Sequence, residues 1–167
     1  ISPYKPRSFF VDSFELIGQL PWSDKFFEKF NEMHEYDLRP FLPLLFKEYG
    51  ESKYLYSIFG DEAEYQTTNK LQERVREDYI LVREHLFMNE FLMPMKNWMD
   101  EKNITLRMQA HGGFGDYLDA YAVADIPESE SLFAGGDYDF LKLAASAGHV
   151  SGKNTISSES FIKLSIF

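Results

Sequence analysis

Ile104-Thr105-Leu106-Arg107-Met108-Gln109, running on to His111-Gly112-Gly113, is the stretch whose reading decides the fold. Apolar and polar residues alternate through it, the period of a strand with one buried face, and the glycines mark the loop into which that strand discharges. Asp116 can then cap a short helix through Tyr117, Leu118 and Tyr121. Strand, loop and helix in this order form the repeating unit of a parallel α/β sheet.

The unit recurs toward the carboxyl end. Val123-Ala124-Asp125-Ile126-Pro127-Glu128-Ser129-Glu130 reads as a third strand or strand exit, because Pro127 demands an extended residue before it and gives up a ladder donor. Asp137 or Asp139 can start a helix containing Phe140, Leu143, Ala144 and Ala147, whose small alanines permit close approach to a sheet and whose end suits Gly148. Thr155 to Phe161 follows as a fourth strand with Glu159 at its far end.

Toward the amino end, Phe9-Phe10-Val11 reads as a buried strand emptying into Asp12-Ser13-Phe14-Glu15 and Gly18. Ser23-Asp24 is placed to cap a helix bearing Phe26, Phe27, Phe30 and Met33 and fading near His34-Glu35. Pro40 and Pro43 bracket Phe41-Leu42, and with Leu44-Leu45-Phe46 they make a hydrophobic turn or short helix before Gly50. From about Thr68, the spacing of Leu71, Val75, Val82 and Leu86 gives a long amphipathic helix reaching Glu90. Phe91, Met95, Trp98 and Met99 keep helical spacing across Pro94, which should bend the element or start a new one, and Asn103 stops it.

The expected architecture is therefore an α/β barrel of the TIM type. Four strands are half of the eight that a closed (β/α) barrel needs, and such barrels take ~250 residues, so residues 1–167 read as about the first half of one. Ile1 and the end at Phe167, directly behind a strand-like segment, read as cut ends of a larger parent.

Composition narrows the chemistry. A chain of 167 residues that is 44% hydrophobic and carries 16 Phe and 10 Tyr is too apolar for a disordered segment. The net charge of −10, with 17 basic residues spread thinly, argues against a nucleic-acid partner. The absence of cysteine excludes disulfides, thiolate metal sites and cysteine nucleophiles. No apolar run approaches the roughly 20 residues of a membrane span.

In a parallel barrel the active site forms where the strands' carboxyl ends converge. The polar residues expected there are Asp12, Ser13 and Glu15, then Gln109 and His111, then Glu128 and Glu130, then Glu159. Acids dominate, which suits glycoside hydrolysis, where one protonated carboxyl serves the leaving oxygen while a carboxylate activates water or attacks the sugar. Acids equally suit a hard cation such as calcium. Glu128 and Glu130 share one face of an extended segment; the alternative is one functional acid and one paired to a nearby Lys or Arg. Asp12 also reads as the cap of its turn and Glu15 as a solvated loop acid. His111 stands before glycines that let a ligand approach closely, His149 follows the Ala-rich helix and lines the cleft or bonds its loop, and Trp22, beside the first strand exit, is the better of the two tryptophans for a sugar platform. No second His falls at a zinc-ligand spacing.

These residues resemble glycoside hydrolase family 106, the α-L-rhamnosidases. The matching stretches are Phe10 to Glu15, Tyr36 to Pro43, Arg76 to Tyr79, Gln109 to Gly112, Ala124 to Glu130, and Ala145 to Lys153 followed by Ser158 to Phe161, collinear over nearly the whole chain. The region Glu48 to Gln66 has no counterpart, and Trp22-Ser23 stands where the family pattern has Trp-Thr. The resemblance implies a (β/α) barrel, inverting hydrolysis of terminal α-L-rhamnosyl linkages in plant or microbial polysaccharide, calcium near the sugar, and a secreted or periplasmic bacterial protein. It makes one of Glu128 and Glu130 the acid, Glu15 and Glu159 contacts to calcium or substrate, and Gln109 and His111 pocket lining. An inverting pair holds its carboxyls roughly 6.5–9.5 Å apart, and its second member is expected beyond Phe167. Two other readings remain open: a non-catalytic carbohydrate- or calcium-binding half-barrel, and a barrel glycosidase for another sugar. The expected partner is a carbohydrate substrate, and the open half-barrel is expected to need its missing half or to self-associate.

Overall fold

The computed structural model describes residues 4–16, 20–45, 70–131 and 137–160. Gly18, Phe46, Gly50, Thr68, Phe161 and the Glu48 to Gln66 region lie outside the described residues. The chain forms two compact units, one from Ile1–Leu16 with Phe87–Phe167 and the other from Ile17–Leu86.

The first unit is built on four parallel strands, β1 (Ser8–Val11), β2 (Thr105–Met108), β3 (Ile126–Glu130) and β4 (Ser157–Glu159), adjacent in chain order. Phe10 pairs with Arg107, Arg107 with Ile126, and Glu130 with Glu159. The period-two reading of β2 holds: Leu106, Met108 and Ala110 are fully buried in an apolar cluster with Met99, Ala120, Tyr121, Ala144 and Ala147. Burying a Leu or Met side chain stabilises by roughly 1.5–3 kcal/mol, so this one strand anchors the helical layer. The alternate positions, Arg107 and Gln109, take the opposite face.

The helices of this layer are α3 (Met93–Glu101), α4 (Tyr117–Val123) and α5 (Tyr138–Val150). Asp116 caps α4 by accepting from the amides of Leu118 and Asp119 at 2.7 and 3.4 Å, and Asp137 caps α5 through Asp139 and Phe140. Asn103, at φ 49°, turns the chain out of α3, as its type permits. Before α3, Phe87–Leu92 forms a π-helical turn. Pro94 has no N–H to offer the carbonyl four residues back, so the regular ladder is interrupted there and a wider turn precedes it. Gly148 does not end its helix, contrary to expectation. α5 runs on to Val150 with Ser151 as its cap, and Gly148 is small because a Cβ there would stand 2.9 Å from Ile156 Cγ1.

The second unit contains α1 (Phe26–His34), a 3-10 segment (Arg39–Leu45) and α2 (Lys70–Leu86). Phe26, Phe30, Leu38, Leu45, Val75, Tyr79 and Val82 form its core. Ser23-Asp24 does not cap α1: the Ser23 carbonyl accepts from Phe26 N, the cap position is Lys25, and its side chain makes no capping bond. Tyr79 Oη donates to the Pro21 carbonyl at 2.7 Å, and Arg76 Nε donates to that of Leu44 at 2.7 Å. These bonds satisfy loop carbonyls that would otherwise be costly to bury.

Candidate functional site

Strand periodicity gathers the site. With Arg107 opposite Ile126, the next same-face pairs are Gln109 beside Glu128 and His111 beside Glu130, while the β3 to β4 register sets Glu128 against Ser157 and Glu130 against Glu159. The helices pack against the Leu106–Met108 face, and these groups stand together on the other face near the strands' carboxyl ends, where His111 reaches Tyr121 of α4.

Glu128 is wholly buried and fully engaged. Its Oε1 accepts from Arg107 Nη2 at 2.9 Å and from Gln109 Nε2 at 3.1 Å. Its Oε2 accepts from Arg107 Nε and Ser157 Oγ. Burial pushes this carboxyl up, but the bonds from Arg107, Ser157 and Gln109 and the Arg107 charge together outweigh it and hold Glu128 below the usual carboxylate range. Arg107 is raised in turn, chiefly by its bond to Glu128, and its guanidinium lies 4.5 Å over the Phe10 ring.

Gln109 joins two acids. Its Nε2 donates to Glu128 and, at 2.8 Å, to Glu159 Oε2. Its own carbonyl oxygen is buried and has no hydrogen-bond partner among the described residues.

His111, also wholly buried, links Tyr121 to Glu130, with Nδ1 2.8 Å from Tyr121 Oη and Nε2 2.9 Å from Glu130 Oε2. Burial raises the Tyr121 phenol well above its ordinary range, so it keeps its proton. The arrangement serves both states of Glu130. Ionised, or protonated on its other oxygen, it accepts at Oε2 from Nε2–H while Tyr121 donates to Nδ1. The Glu130 side chain is 16% exposed, and His111 Nε2 is its bonded neighbour among the described residues.

The structure thus brings together Gln109, His111, Glu128, Glu130 and Glu159. Asp12 is exposed and accepts from Ser13 N at 2.9 Å. Glu15 is an exposed loop acid. His149 is exposed in the last turn of α5. That helix runs back against the strands, so its carboxyl end lies at the rim opposite the acids. Trp22 belongs to the second unit, where it stacks on Phe26 at 4.3 Å and edges onto Phe27 at 4.7 Å. Arg107, Ser157 and Tyr121 were not singled out by sequence. Arg107 has a signal there, being two residues before Gln109 and hence on its face.

The calcium that the family resemblance implies needs six to eight oxygen ligands. Among the described residues no three or more His, Cys, Asp or Glu side chains converge as a metal group, and Glu159 Oε2 faces an N–H donor. The described residues do not fit a calcium site.

The structure is similar to that of a rhamnosidase from Novosphingobium sp. PP1Y, with a TM-score of 0.64 and 22% sequence identity over 92% of this chain. The likeness is one of fold, an α/β architecture. This chain spans 14% of the length of that one. No family model matches the chain, and no curated protein does.

Proposed function

We propose that this chain supplies the first strands of a catalytic (β/α) barrel in a glycoside hydrolase acting on terminal α-L-rhamnosyl linkages with inversion. The observation that carries the proposal is the division of labour between two acids on one strand. Glu128, with its acceptor positions filled by Arg107, Gln109 and Ser157, is a fixed anion that shapes the site. Glu130, partly exposed and backed by His111 and Tyr121, is the carboxyl free to transfer a proton. The rhamnosidase-like fold supports this assignment.

On this reading the Glu130 oxygen that does not face His111 gives its proton to the leaving glycosidic oxygen, while Oε2 accepts from His111 Nε2–H before and after the transfer. Glu128 contributes negative charge beside the developing oxocarbenium ion. The carboxylate that activates water comes from another strand of the complete barrel, across the spacing that inversion requires. With β1 and β4 the outer strands of the described sheet, the 167-residue chain alone binds the rest of its barrel or self-associates. Sedimentation tests this directly: monodisperse monomer that hydrolyses an aryl α-L-rhamnoside would refute it.

The assay for the function is release of the aryl group by the complete protein. Glu130→Gln should lower kcat by roughly 10²–10⁴-fold. A carbohydrate-binding module on the same fold would show no turnover to lose, and a screen of other aryl glycosides would expose a different sugar preference.

A further inference from the structure

The Arg107 side chain has a place in this site that the division of labour between Glu128 and Glu130 does not explain. An amide can face two carboxylates only with its N–H bonds, because its carbonyl oxygen against either would set acceptor against acceptor. Gln109 meets two, Glu128 and Glu159, through the single nitrogen Nε2. Glu128 shares in that constraint only while it is an anion. A protonated Glu128 would carry an O–H able to donate to the Gln109 carbonyl, and Glu159 alone would then hold the amide nitrogen.

Arg107 prevents this. Its fork engages both oxygens of Glu128, and it is the cation that the structure sets against that buried carboxylate. The consequence falls on Gln109 Oε1, which is left buried without a donor. A buried acceptor in that condition costs free energy until a donor arrives, and the donor that fits is a hydroxyl.

We propose that Arg107 is a positioning residue: by saturating Glu128 it locks the Gln109 amide with its nitrogen on two carboxylates and holds the Gln109 carbonyl oxygen as the acceptor for a hydroxyl group of the sugar. The inference rests on the proposed glycosidase function for the identity of the ligand, while the amide orientation stands on the geometry of this chain.

The test uses the complete protein labelled with nitrogen-15 in glutamine side chains, with Gln109→Met to assign the Gln109 signals. In the unsubstituted protein the Gln109 NH2 protons should resonate downfield, as donors to carboxylates do, and Arg107→Met should move them toward the free-amide position as pH falls from neutrality and Glu128 takes up its proton. Kinetically, Arg107→Met and Gln109→Met should each raise KM for an aryl α-L-rhamnoside roughly three- to tenfold, the size of one hydrogen bond to a neutral hydroxyl. The double variant should be no worse than Gln109→Met alone, since Arg107 acts through Gln109. Should Arg107→Met fail to fold, Glu128→Gln, nearly isosteric, removes the same anion and should move the same signals. Unchanged Gln109 signals in the folded variant, or KM effects that multiply in the double, overturn the inference. If the unsubstituted protein cleaves no aryl rhamnoside, the proposed function fails, and the amide signals still decide the role of Arg107.

Discussion

Replacing Arg107 by Met isolates the ion pair at the centre of the site. The guanidinium makes two hydrogen bonds to a wholly buried carboxylate, and breaking a buried pair costs about 3–5 kcal/mol when one charge is stranded. Arg107 itself is 44% exposed, so water screens part of the interaction and the expected cost falls to about 2 kcal/mol at neutral pH. The sign of the pH dependence follows from Glu128. Its carboxyl is held below the usual range, so the stability it contributes is present above the unfolded carboxyl's value and is lost as pH falls through the lowered folded value. In the variant, burial acts unopposed by Arg107 and the carboxyl takes up its proton at higher pH. The difference between the two proteins therefore shrinks between neutrality and pH ~4, near the ordinary glutamate value. Hydrogen exchange over the β2 and β3 peptides reads the opening equilibrium: exchange in the variant should be roughly thirtyfold faster at pH 7 and much closer to the parent at pH 4. Removing Glu128 as well, as Arg107→Met with Glu128→Met, should recover part of the loss. Equal exchange at pH 7, or a difference that does not depend on pH, would refute the assignment of Glu128 as an anion held by Arg107.

Three backbone and capping substitutions test how the site is carried. Gly112→Ala meets both a φ of +75° and the Phe14 carbonyl oxygen 2.3 Å from the new Cβ, so a loss of about 2–3 kcal/mol and faster exchange after His111 are expected; a neutral result would contradict the loop geometry. Gly148→Ala presses on Ile156, and should cost about 1–3 kcal/mol by thermal unfolding, recovered in part by Ile156→Val. Asp116→Ala removes the cap of the helix that carries Tyr121, with an expected loss of about 1 kcal/mol; an unchanged Tm would show that the cap bonds are not formed.

Much of the sheet was legible because β2 is amphipathic and its flanking signals are local. The alternation of Leu106 and Met108 with Arg107 and Gln109, the caps at Asp116 and Asp137, and the stop at Asn103 each depend on a few adjacent residues. Ser23-Asp24 misled because a residue type suited to capping was used in the preceding turn instead. Gly148 misled because a glycine near a helix end serves equally well where a neighbouring side chain, here Ile156, packs close. The candidate site was legible as far as strand-end polarity reaches, which located Gln109, His111, Glu128, Glu130 and Glu159. What that polarity does not carry is which acid is clamped, since the Arg107–Glu128 bond joins strands 21 positions apart and depends on register. Tyr121 was hidden for the same reason: its spacing is that of a core helix residue, and only the packed fold turns its hydroxyl to His111.

The most direct test of the account is the kinetics of Glu130→Gln in the complete protein on an aryl α-L-rhamnoside, with the anomer of the released sugar followed by proton NMR. The account predicts β-rhamnose as the first product of the unsubstituted protein and a fall in kcat of roughly 10²–10⁴-fold in the variant. Hydrolysis at the parent's rate by Glu130→Gln, or α-rhamnose as the first product, would contradict it.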